Sequence, residues 1–526
     1  MPANGLNLSV EHYDGFKVIF GGQGFDLTPS ASLLIEGQAG VGKTVLALQI
    51  ACKFLGVCSK DQYVLYFAFE QDAEALQSLL QRFQLGGEVC VCGTNPGHRR
   101  DPKKLHIVSR PRSDSLSAFV DYTGGLLSKN QGCALLLLDS IGVFEAPDGG
   151  TSRKELDRLC QLAREGRYAL VMVREKEPEA AAAVAEYVTD SVFELQLKPI
   201  AYGPQVRTIE IKKSRIQRSL RGPHEFEILD RLGIAPFPFP DSGFGREEQA
   251  GPSAPTAILD LFDGEGADLL RSQLVRSDDS IGKQGLRRGE CLLLYGKPGS
   301  LKTAFAFNFL KLALSDRNEA TLFVTFKIDE QALLGIGRSY LSDAEFDVWW
   351  HQNIFIDARP TFWTPARVLA EIRRRVLMRR TSGQLRVERA VVFGLGMIDE
   401  LPAFQGQELT FLQVLLRYFN SEHMSAMFID WPRRGRRDSK LQFDSIVNYF
   451  PTAIERVQPD SSDLLVQVTR HQFQVAKSPR TLRVLERTLP NGKRALAIEE
   501  YSPPAKGAGG ARSKVFKAGS QGQDAP

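Results

Sequence analysis

Apolar runs long enough to cross a membrane are absent from this sequence. Its 526 residues include no uninterrupted apolar stretch of the ~18–20 residues that a spanning helix requires. The opening residues also lack a basic segment followed by an apolar one, so a secretory signal is not expected. Together these absences predict a cytoplasmic protein that makes no contact with a membrane.

Cysteine is sparse as well, with 7 residues scattered along the chain. Cys90 and Cys92 lie close together, but a CxC pair without a second pair is a weak indication of a metal site. Free thiols in a reducing compartment are the simpler interpretation. The sequence therefore predicts neither a disulfide framework nor a structural zinc site.

A strong excess of one charge is also missing. The chain has 66 basic and 62 acidic residues, and its formal net charge is +4. This balance is too mild to predict nucleic-acid or membrane-surface binding by itself. At ~100–200 residues per domain, the length predicts about two to four domains.

One sequence pattern occurs twice, in the same order and at similar spacing, which indicates a tandem duplication. In each copy a short apolar strand leads into a glycine-rich loop and a helix, and further apolar strands follow. The first copy has strand 32–36, loop 37–44, helix 44–55 and strands 64–69 and 133–138; the second has strand 291–295, loop 296–303, helix 304–314 and strands 321–326 and 390–393.

Continuous apolar strands that alternate with helices predict an α/β fold. We expect two tandem domains, each a mainly parallel sheet flanked by helices. Strand 168–173 continues the first sheet, and strands 192–197 and 207–211 are expected at its edge. The predicted divisions are a domain over 1–235, a Pro/Gly-rich linker over 236–256, a second domain over 257–501 and a disordered tail over 502–526.

The first loop matches the phosphate-binding pattern GxxxxGK[ST] between a strand and a helix. Its residues are Gly37, Gln38, Ala39, Gly40, Val41, Gly42, Lys43 and Thr44. The glycines let backbone N–H groups face phosphate oxygens, to which the helix N-terminus adds positive charge. Lys43 would contact the β- and γ-phosphates and Thr44 would contact Mg²⁺. The loop therefore predicts binding of ATP with Mg²⁺.

Two carboxylates follow buried strands of the first domain. Asp139 ends the strand 133–138 and is either a magnesium-holding carboxylate or a capping residue in a turn. Glu70 follows the strand 64–69 and is either the base that deprotonates the attacking water or a solvated side chain.

Several segments together resemble the KaiC-type branch of the RecA-like ATPases. They are residues 63–76 (YVLYFAFEQDAEAL), the phosphate loop, Asp139-Ser140, residues 210–215 (EIKKSR) and residues 221–228 (RGPHEFEI). The resemblance covers about residues 10–235 well and about 256–500 more weakly. It implies two tandem RecA/KaiC-like P-loop domains.

The resemblance also implies specific roles. Glu70 matches the first of two family glutamates and would be the catalytic base, whereas Gln71 stands at the second and leaves full hydrolytic activity open. The family forms rings, commonly hexamers, in which a Lys and an Arg of a late strand reach the γ-phosphate of a neighbour. Lys213 and Arg215 match those positions. Without the resemblance they would be assigned to a solvated strand face.

The second loop keeps Lys302 and Thr303, so it can still bind nucleotide, but Leu301 replaces the glycine before the lysine. Other positions have lost their function: Lys327 and Ile328 stand at the positions of Glu70 and Gln71, Gly394 at that of Asp139, and Arg470 and Gln472 at those of Lys213 and Arg215. Asp430 either replaces the magnesium carboxylate or lies in a simple turn. This copy is interpreted as non-hydrolysing, with a structural or regulatory role.

Two arginine-rich groups leave nucleic-acid binding open. The first is Arg373–Arg375 with Arg379 and Arg380, and the second is Arg433, Arg434, Arg436 and Arg437. The first group is otherwise a solvated helix face, and the second is otherwise a surface loop or a subunit contact. Three hypotheses follow: a KaiC-like ring ATPase whose nucleotide state controls assembly and binding of a regulatory protein, a DNA-binding RecA-like protein of repair or recombination, or a non-hydrolysing scaffold.

Overall fold

The structure is a computed structural model. It describes residues 6–10, 12–85, 88–92, 101–102, 104–109, 115–144, 153–176, 184–199, 205–238, 258–259, 262, 265–274, 286–295, 301–315, 319–359, 363–383, 385–429, 452–456, 464–471, 474–475 and 481–501. Within these ranges, no helix is both long and apolar enough to cross a membrane.

The first domain is built on a sheet in which β1 occupies a central position. The strand order is β10-β9-β8-β7-β1-β6-β5-β2-β4-β3. The pairs from β7 to β3 are parallel, and the pairs from β7 to β10 are antiparallel. The strands are β1 Ser32–Gly37, β2 Tyr63–Ala68, β3 Glu88–Cys92, β4 Lys104–Ser109, β5 Cys133–Asp139, β6 Ala169–Glu175, β7 Ser191–Lys198, β8 Val206–Ser214, β9 Pro223–Leu229 and β10 Gly233–Phe237.

Helices cover both faces of this sheet, because the central strands are buried on both sides. Helices α1–α3 pack on one face and α4–α6 on the other. Their bounds are α1 Gly15–Ile19, α2 Lys43–Val57, α3 Ala73–Arg82, α4 Leu116–Lys129, α5 Arg153–Gly166 and α6 Val184–Val188. Asp72 and Ser115 start α3 and α4 by accepting a hydrogen bond from the backbone N–H three residues later.

The second domain repeats this sheet with the order β15-β14-β16-β17-β13-β18-β19-β21-β22. β13 has the central place of β1, and the pairs from β18 to β22 are antiparallel. The strands of this sheet are β13 Cys291–Tyr295, β14 Glu319–Thr325, β15 Asn353–Asp357, β16 Arg386–Phe393, β17 Ser425–Ile429, β18 Thr452–Arg456, β19 Leu464–His471, β20 Gln474–Val475, β21 Thr481–Thr488 and β22 Arg494–Glu500. β11 Ile258–Leu259 and β12 Leu286–Arg287 form a separate two-stranded sheet.

Its helices also lie on both faces of the sheet. α7–α10 pack on one side, and α11 and α12 pack on the other. Their bounds are α7 Ala267–Gln273, α8 Leu301–Lys311, α9 Glu330–Tyr340, α10 Asp343–Gln352, α11 Pro365–Gly383 and α12 Glu408–Ser421. The predicted α/β class with two mainly parallel sheets is therefore confirmed.

One placement inferred from the sequence is wrong. The segments 192–197 and 207–211 were expected at the edge of the sheet, but β7 is hydrogen-bonded to β1 and β8 follows it inward of the edge. β9 and β10 extend the sheet beyond them. The last strand, β10, ends at Phe237, two residues past the predicted end of the domain at 235.

The two domains touch through α11, and we call this region the domain contact. The Tyr13 hydroxyl donates to Glu371 Oε2 over 2.8 Å. The Arg367 guanidinium lies 2.6 Å from Glu227 and 5.0 Å above the ring of Phe237. Because β9 and β10 supply part of this surface, α11 packs on the antiparallel side of the first sheet.

Candidate functional site

Two glycines of the first loop disfavour any side chain, Gly42 through its backbone angle and Gly37 through a backbone clash. Gly42 has φ of 117°, and a Cβ there would lie 2.8 Å from Ile228 Cδ1. A Cβ on Gly37 would lie 2.1 Å from the carbonyl oxygen of Leu195. The loop thus turns tightly between β1 and α2, as the pattern requires.

The Lys43 side chain folds back over this loop. Its Nζ donates to the carbonyl oxygens of Gly37 at 2.9 Å and Gln38 at 2.8 Å. Burial lowers the pKa of Lys43, and the carboxylates of Glu175, Asp139 and Glu70 oppose that fall. The ammonium therefore lies in the curl of the loop, among acidic groups.

Asp139 lies at the end of β5, opposite Ala68 of β2. Its Oδ2 accepts hydrogen bonds from Thr44 Oγ1 at 2.8 Å and from the Tyr66 hydroxyl at 2.6 Å. Burial raises the pKa of Asp139, and the hydrogen bonds from Tyr66 and Thr44 work against this rise. The fold thus brings the two predicted magnesium residues, Thr44 and Asp139, into direct contact.

This pair of oxygen donors fits Mg²⁺. Hydroxyl and carboxylate oxygens are hard ligands, and Mg²⁺ commonly takes one or two protein groups together with substrate phosphates. Among the described residues no group of three or more His, Cys, Asp or Glu side chains forms a protein-only metal site. A metal here would accordingly be held jointly by Thr44, Asp139 and a nucleotide.

Glu70 lies just beyond β2 and is exposed. Its Oε1 accepts a hydrogen bond from Ser140 Oγ at 2.7 Å. Ser140 Oγ in turn accepts a hydrogen bond from the backbone N–H of Gly142 at 3.1 Å. Glu70 is therefore oriented beside the loop, on the side of Asp139. An oriented carboxylate that is open to solvent can accept a proton from a water molecule.

The loop follows the carboxyl end of β1. Lys213 and Arg215 lie toward the other end of the parallel strands, where β1 and β7 begin. Lys213 pairs with Val192 of β7, which pairs with Leu34 of β1. Because β1 continues for three residues from Leu34 to Gly37, Lys213 lies about 10 Å before the loop along the strand and two strands away across the sheet.

Backbone carbonyls at the end of α6 hold these two side chains. Lys213 Nζ donates to the carbonyl oxygens of Glu186 at 2.6 Å, Tyr187 at 3.1 Å and Thr189 at 2.5 Å. Arg215 donates to the same carbonyl of Tyr187 at 3.4 Å. Burial and the nearby Arg215 lower the pKa of Lys213. The fold therefore does not bring these residues to the loop of their own domain.

A buried ion cluster lies behind the root of the loop. The Lys176 backbone N–H donates to the carbonyl of Gly37 at 3.0 Å. Its ammonium lies 2.7 Å from Glu36, 3.3 Å from Glu186 and 3.4 Å from Glu194. The Glu36 side chain is 0% exposed, so burial raises its pKa while Lys176 opposes the rise. The cluster links β1, β6, β7 and α6 next to the loop.

The second domain lacks a carboxylate at the corresponding strand end. The residue that corresponds to Asp139 in the second domain is Phe393, whereas the sequence spacing had assigned Gly394 to that position. In the first domain Asp139 O accepts from the N–H of Phe69, and in the second Phe393 O accepts from the N–H of Phe326. The correction leaves an apolar side chain in place of the carboxylate.

Lys302 and Thr303 lie in the first turn of α8, as Lys43 and Thr44 lie in the first turn of α2. Lys302 is only 2% exposed, whereas Lys43 is partly exposed. Lys327 follows Phe326 at the place where Glu70 follows Phe69, so a cation stands where the first domain has its candidate base.

Some predicted residues lie beyond what the structure describes. They are loop residues 296–300, Asp430, Gln472, Arg433, Arg434, Arg436 and Arg437, together with the side chain of Arg470. Their proposed roles, including nucleic-acid contact by the arginines, stay predictions.

The first arginine group lies within the described chain and is engaged inside it. Arg373 forms an ion pair with Asp14 at 2.8 Å. Arg374 and Arg375 both pair with Glu371, at 3.0 and 2.6 Å. Although burial alone would raise the pKa of Glu371, these guanidinium groups lower it to about 2. Arg373 therefore belongs to the domain contact, and Arg374 and Arg375 hold Glu371, to which Tyr13 donates. Arg380 is exposed and pairs with Glu422 within the second domain.

Sequence reasoning missed the contributions of Tyr66, Ser140 and Lys176. Tyr66 is one aromatic residue within an apolar strand, and Lys176 is one lysine in the alternating charged run Arg174-Glu175-Lys176. Neither pattern signals a site. Ser140 carried a signal in its position next to Asp139, but its hydrogen bond to Glu70 depends on how the two strand ends meet.

Comparison with known proteins agrees with this geometry. The family model described as "ATPase: KaiC" matches residues 14–238 and 275–346. The circadian clock oscillator protein KaiC of Synechococcus elongatus is 24% identical over 63% of the chain and 61% of its own length. The KaiC protein of Acaryochloris marina is 26% identical over 55% of the chain and 52% of its own length.

The circadian clock oscillator protein KaiC 1 of Synechocystis is 26% identical over 61% of the chain and 58% of its own length. The matched part of the chain thus spans between about half and three fifths of these relatives. The family match covers most of the first domain and the beginning of the second.

Proposed function

Because the chain belongs to the KaiC family of ATPases, we propose that its first domain binds ATP with Mg²⁺ and hydrolyses it. The observation that supports this most directly is the contact of Thr44 with Asp139 at 2.8 Å, beside the ammonium of Lys43. A metal-binding pair and a phosphate-binding cation thus lie at one strand edge, where ligands of open α/β sheets bind.

ATP binding would use the loop as it is folded. The backbone N–H groups of residues 37–44 and the start of α2 would surround the phosphates. Lys43 would exchange the carbonyls of Gly37 and Gln38 for phosphate oxygens, which bear full negative charge. Thr44 and Asp139 would hold Mg²⁺, which neutralises charge on the phosphates.

Hydrolysis would use Glu70 as the base. Ser140 orients the Glu70 carboxylate, which accepts a proton from water as the water oxygen bonds to the γ-phosphorus. The bond between the γ-phosphorus and the bridging oxygen breaks, and the electron pair leaves with ADP. Gln71 adds no second carboxylate, so Glu70 is the single base in this proposal.

Lys213 and Arg215 would act on the nucleotide of a neighbouring copy. Their position toward the other end of the parallel strands from the loop supports this, since they cannot reach their own Lys43 site from there. A homo-oligomeric ring, such as a hexamer, would join the two sites of adjacent subunits. Nucleotide state would then control assembly and the binding of a regulatory protein partner.

A matched pair of substitutions tests which domain hydrolyses ATP. Thr44→Ala and Thr303→Ala remove the same hydroxyl from corresponding positions of the two loops. Phosphate release at saturating Mg²⁺ should fall at least ~10-fold in Thr44→Ala, because a metal-holding group is lost, and should not change in Thr303→Ala. Lys43→Ala should abolish ATP binding by the first domain.

Other results would favour other functions. Loss of turnover in Thr303→Ala alone would move hydrolysis to the second domain. A wild type that binds ATP tightly without turnover would be a non-hydrolysing scaffold. Turnover stimulated by single-stranded DNA and lost on neutralising Arg433, Arg434, Arg436 and Arg437 would identify a DNA-dependent ATPase.

A further inference from the structure

Tyr66 is a polar residue within the apolar core beneath the candidate site. It lies in the middle of β2 between Ile107 of β4 and Leu137 of β5, and its side chain is 0% exposed. Its hydroxyl donates to Asp139 Oδ2 at 2.6 Å. A phenol buried among apolar strands needs a partner, and here the partner is the candidate magnesium carboxylate.

The same oxygen of Asp139 also accepts from Thr44 Oγ1 at 2.8 Å. Two donors on one oxygen restrict rotation of the carboxyl group, since turning it would break both hydrogen bonds. Thr44 is attached to the loop and moves with it, whereas Tyr66 is attached to the sheet. Tyr66 thus supplies the contact that stays when the loop changes its contacts on binding nucleotide.

We propose that Tyr66 is a positioning residue that holds the Asp139 carboxylate in the orientation that receives Mg²⁺, and thereby sets the Mg²⁺ affinity of the nucleotide complex. This inference rests on the proposed function of the first domain. Groups that orient a metal ligand through a hydrogen bond contribute ~10–100-fold to metal affinity. A purely structural hydroxyl would contribute to folding stability and leave metal affinity unchanged.

Tyr63 provides a matched control on the same strand. It is also buried, and its hydroxyl donates a hydrogen bond to the carbonyl of Asn130 at 2.7 Å. It lies three residues before Tyr66, about 10 Å farther from the carboxyl end of β2. Tyr66→Phe and Tyr63→Phe therefore each remove one buried hydroxyl and keep the ring that fills the core.

The experiment measures binding of a fluorescent non-hydrolysable ATP analogue to the full chain as Mg²⁺ is titrated, and again in EDTA. Tyr66→Phe should raise the Mg²⁺ concentration for half-maximal binding ~10–100-fold and leave the affinity in EDTA unchanged. Tyr63→Phe should match the wild type in both conditions. Thermal melts of both variants report their stability.

Two outcomes would overturn the inference. If Tyr66→Phe lowers the melting temperature but keeps the wild-type Mg²⁺ dependence, the hydroxyl is only structural. If Tyr63→Phe shifts the Mg²⁺ dependence equally, the effect is not specific to the Asp139 contact. A wild type that binds no nucleotide with Mg²⁺ would reject the proposed function itself, and this inference with it.

Discussion

Asp139 ends β5 and Glu70 follows the neighbouring strand β2, yet their carboxylates accept from different donors. Asp139 is buried against Thr44 and Tyr66, whereas Glu70 is exposed and meets Ser140. A buried, fixed carboxylate suits a metal, and an exposed, oriented one suits proton transfer with water. Two acidic residues a short distance apart can therefore have separate roles, set by their surroundings.

Glu70→Gln should stop turnover and keep ATP binding. The amide keeps the size and the hydrogen-bond acceptor for Ser140, but it cannot take the proton of the attacking water. We expect kcat to fall ~10²–10⁴-fold, the range that a general base contributes. Single-turnover hydrolysis and equilibrium ATP binding would measure the two effects separately.

Glu74→Gln is the control for this change, because Glu74 is an exposed glutamate in the first turn of α3. It should hydrolyse ATP at the wild-type rate. If Glu70→Gln does so too, the base has been assigned to the wrong residue.

At the scale of elements, α6 links the two polar regions of the first domain. The Glu186 side chain contacts Lys176 behind the loop, and the Glu186 carbonyl accepts from Lys213. Lys176 in turn donates its backbone N–H to Gly37. A short chain of direct contacts therefore connects Gly37, at the root of the loop, with Lys213, the residue proposed to act on a neighbouring copy.

Lys176→Met should destabilise the first domain and weaken ATP binding. The change leaves Glu36 and Glu194 buried without their shared ammonium, and breaking a buried ion pair costs about 3–5 kcal/mol. Arg174 lies 3.9 Å from Glu36 and keeps a positive charge beside it in the variant. We therefore expect a loss of stability at the lower end of that range. Urea denaturation would measure the free energy of unfolding.

Lys212→Met is the matched control, because Lys212 also contacts Glu194 but is 39% exposed. Its loss should cost about 0–1 kcal/mol. Combining Lys176→Met with Glu36→Gln should restore part of the lost stability. An equal loss in both lysine variants would show that burial of the cluster is not what matters.

For the whole molecule, the domain contact joins the antiparallel side of the first sheet to α11. Asp14 and Glu227 of the first domain pair there with Arg373 and Arg367 of the second. Tyr13 of the first domain donates to Glu371. β9 and β10 also touch the loop, since Ile228 and Ile234 lie nearest to the space beside Gly42. The second domain therefore packs against strands that contact the phosphate loop.

Assembly should depend on ATP if Lys213 and Arg215 act across a subunit boundary. Light scattering should report a higher mass with ATP than without nucleotide, and removing ATP should dissociate any ring. Lys213→Met combined with Arg215→Met should reduce turnover while leaving ATP binding by each chain intact, because these residues lie away from their own loop.

Arg218→Met is the comparison variant, since Arg218 is exposed and follows the same strand. It should behave as the wild type. A mass independent of nucleotide, with full activity in the double variant, would argue against sites shared between subunits.

The sequence alone determined the strand–loop–helix unit at 37–44, its repetition near 302, the strand that ends at Asp139 and the strand that precedes Glu70. These features are local, because glycine spacing and runs of apolar residues set the turn, the helix start and the buried strands. The sequence also predicted that the second copy lacks the carboxylate. The spacing placed Gly394 at the position that corresponds to Asp139, and the strand register places Phe393 there.

Only the tertiary structure decided which side chains meet. The contact of Tyr66 with Asp139, the cluster around Lys176 and the pairing of Arg373 with Asp14 each join residues far apart in the chain. The position of Lys213 toward the other end of the parallel strands from the loop likewise follows from the pairing of β8 with β7. Strand order and register are set by packing of the whole sheet, and no short stretch of sequence encodes them.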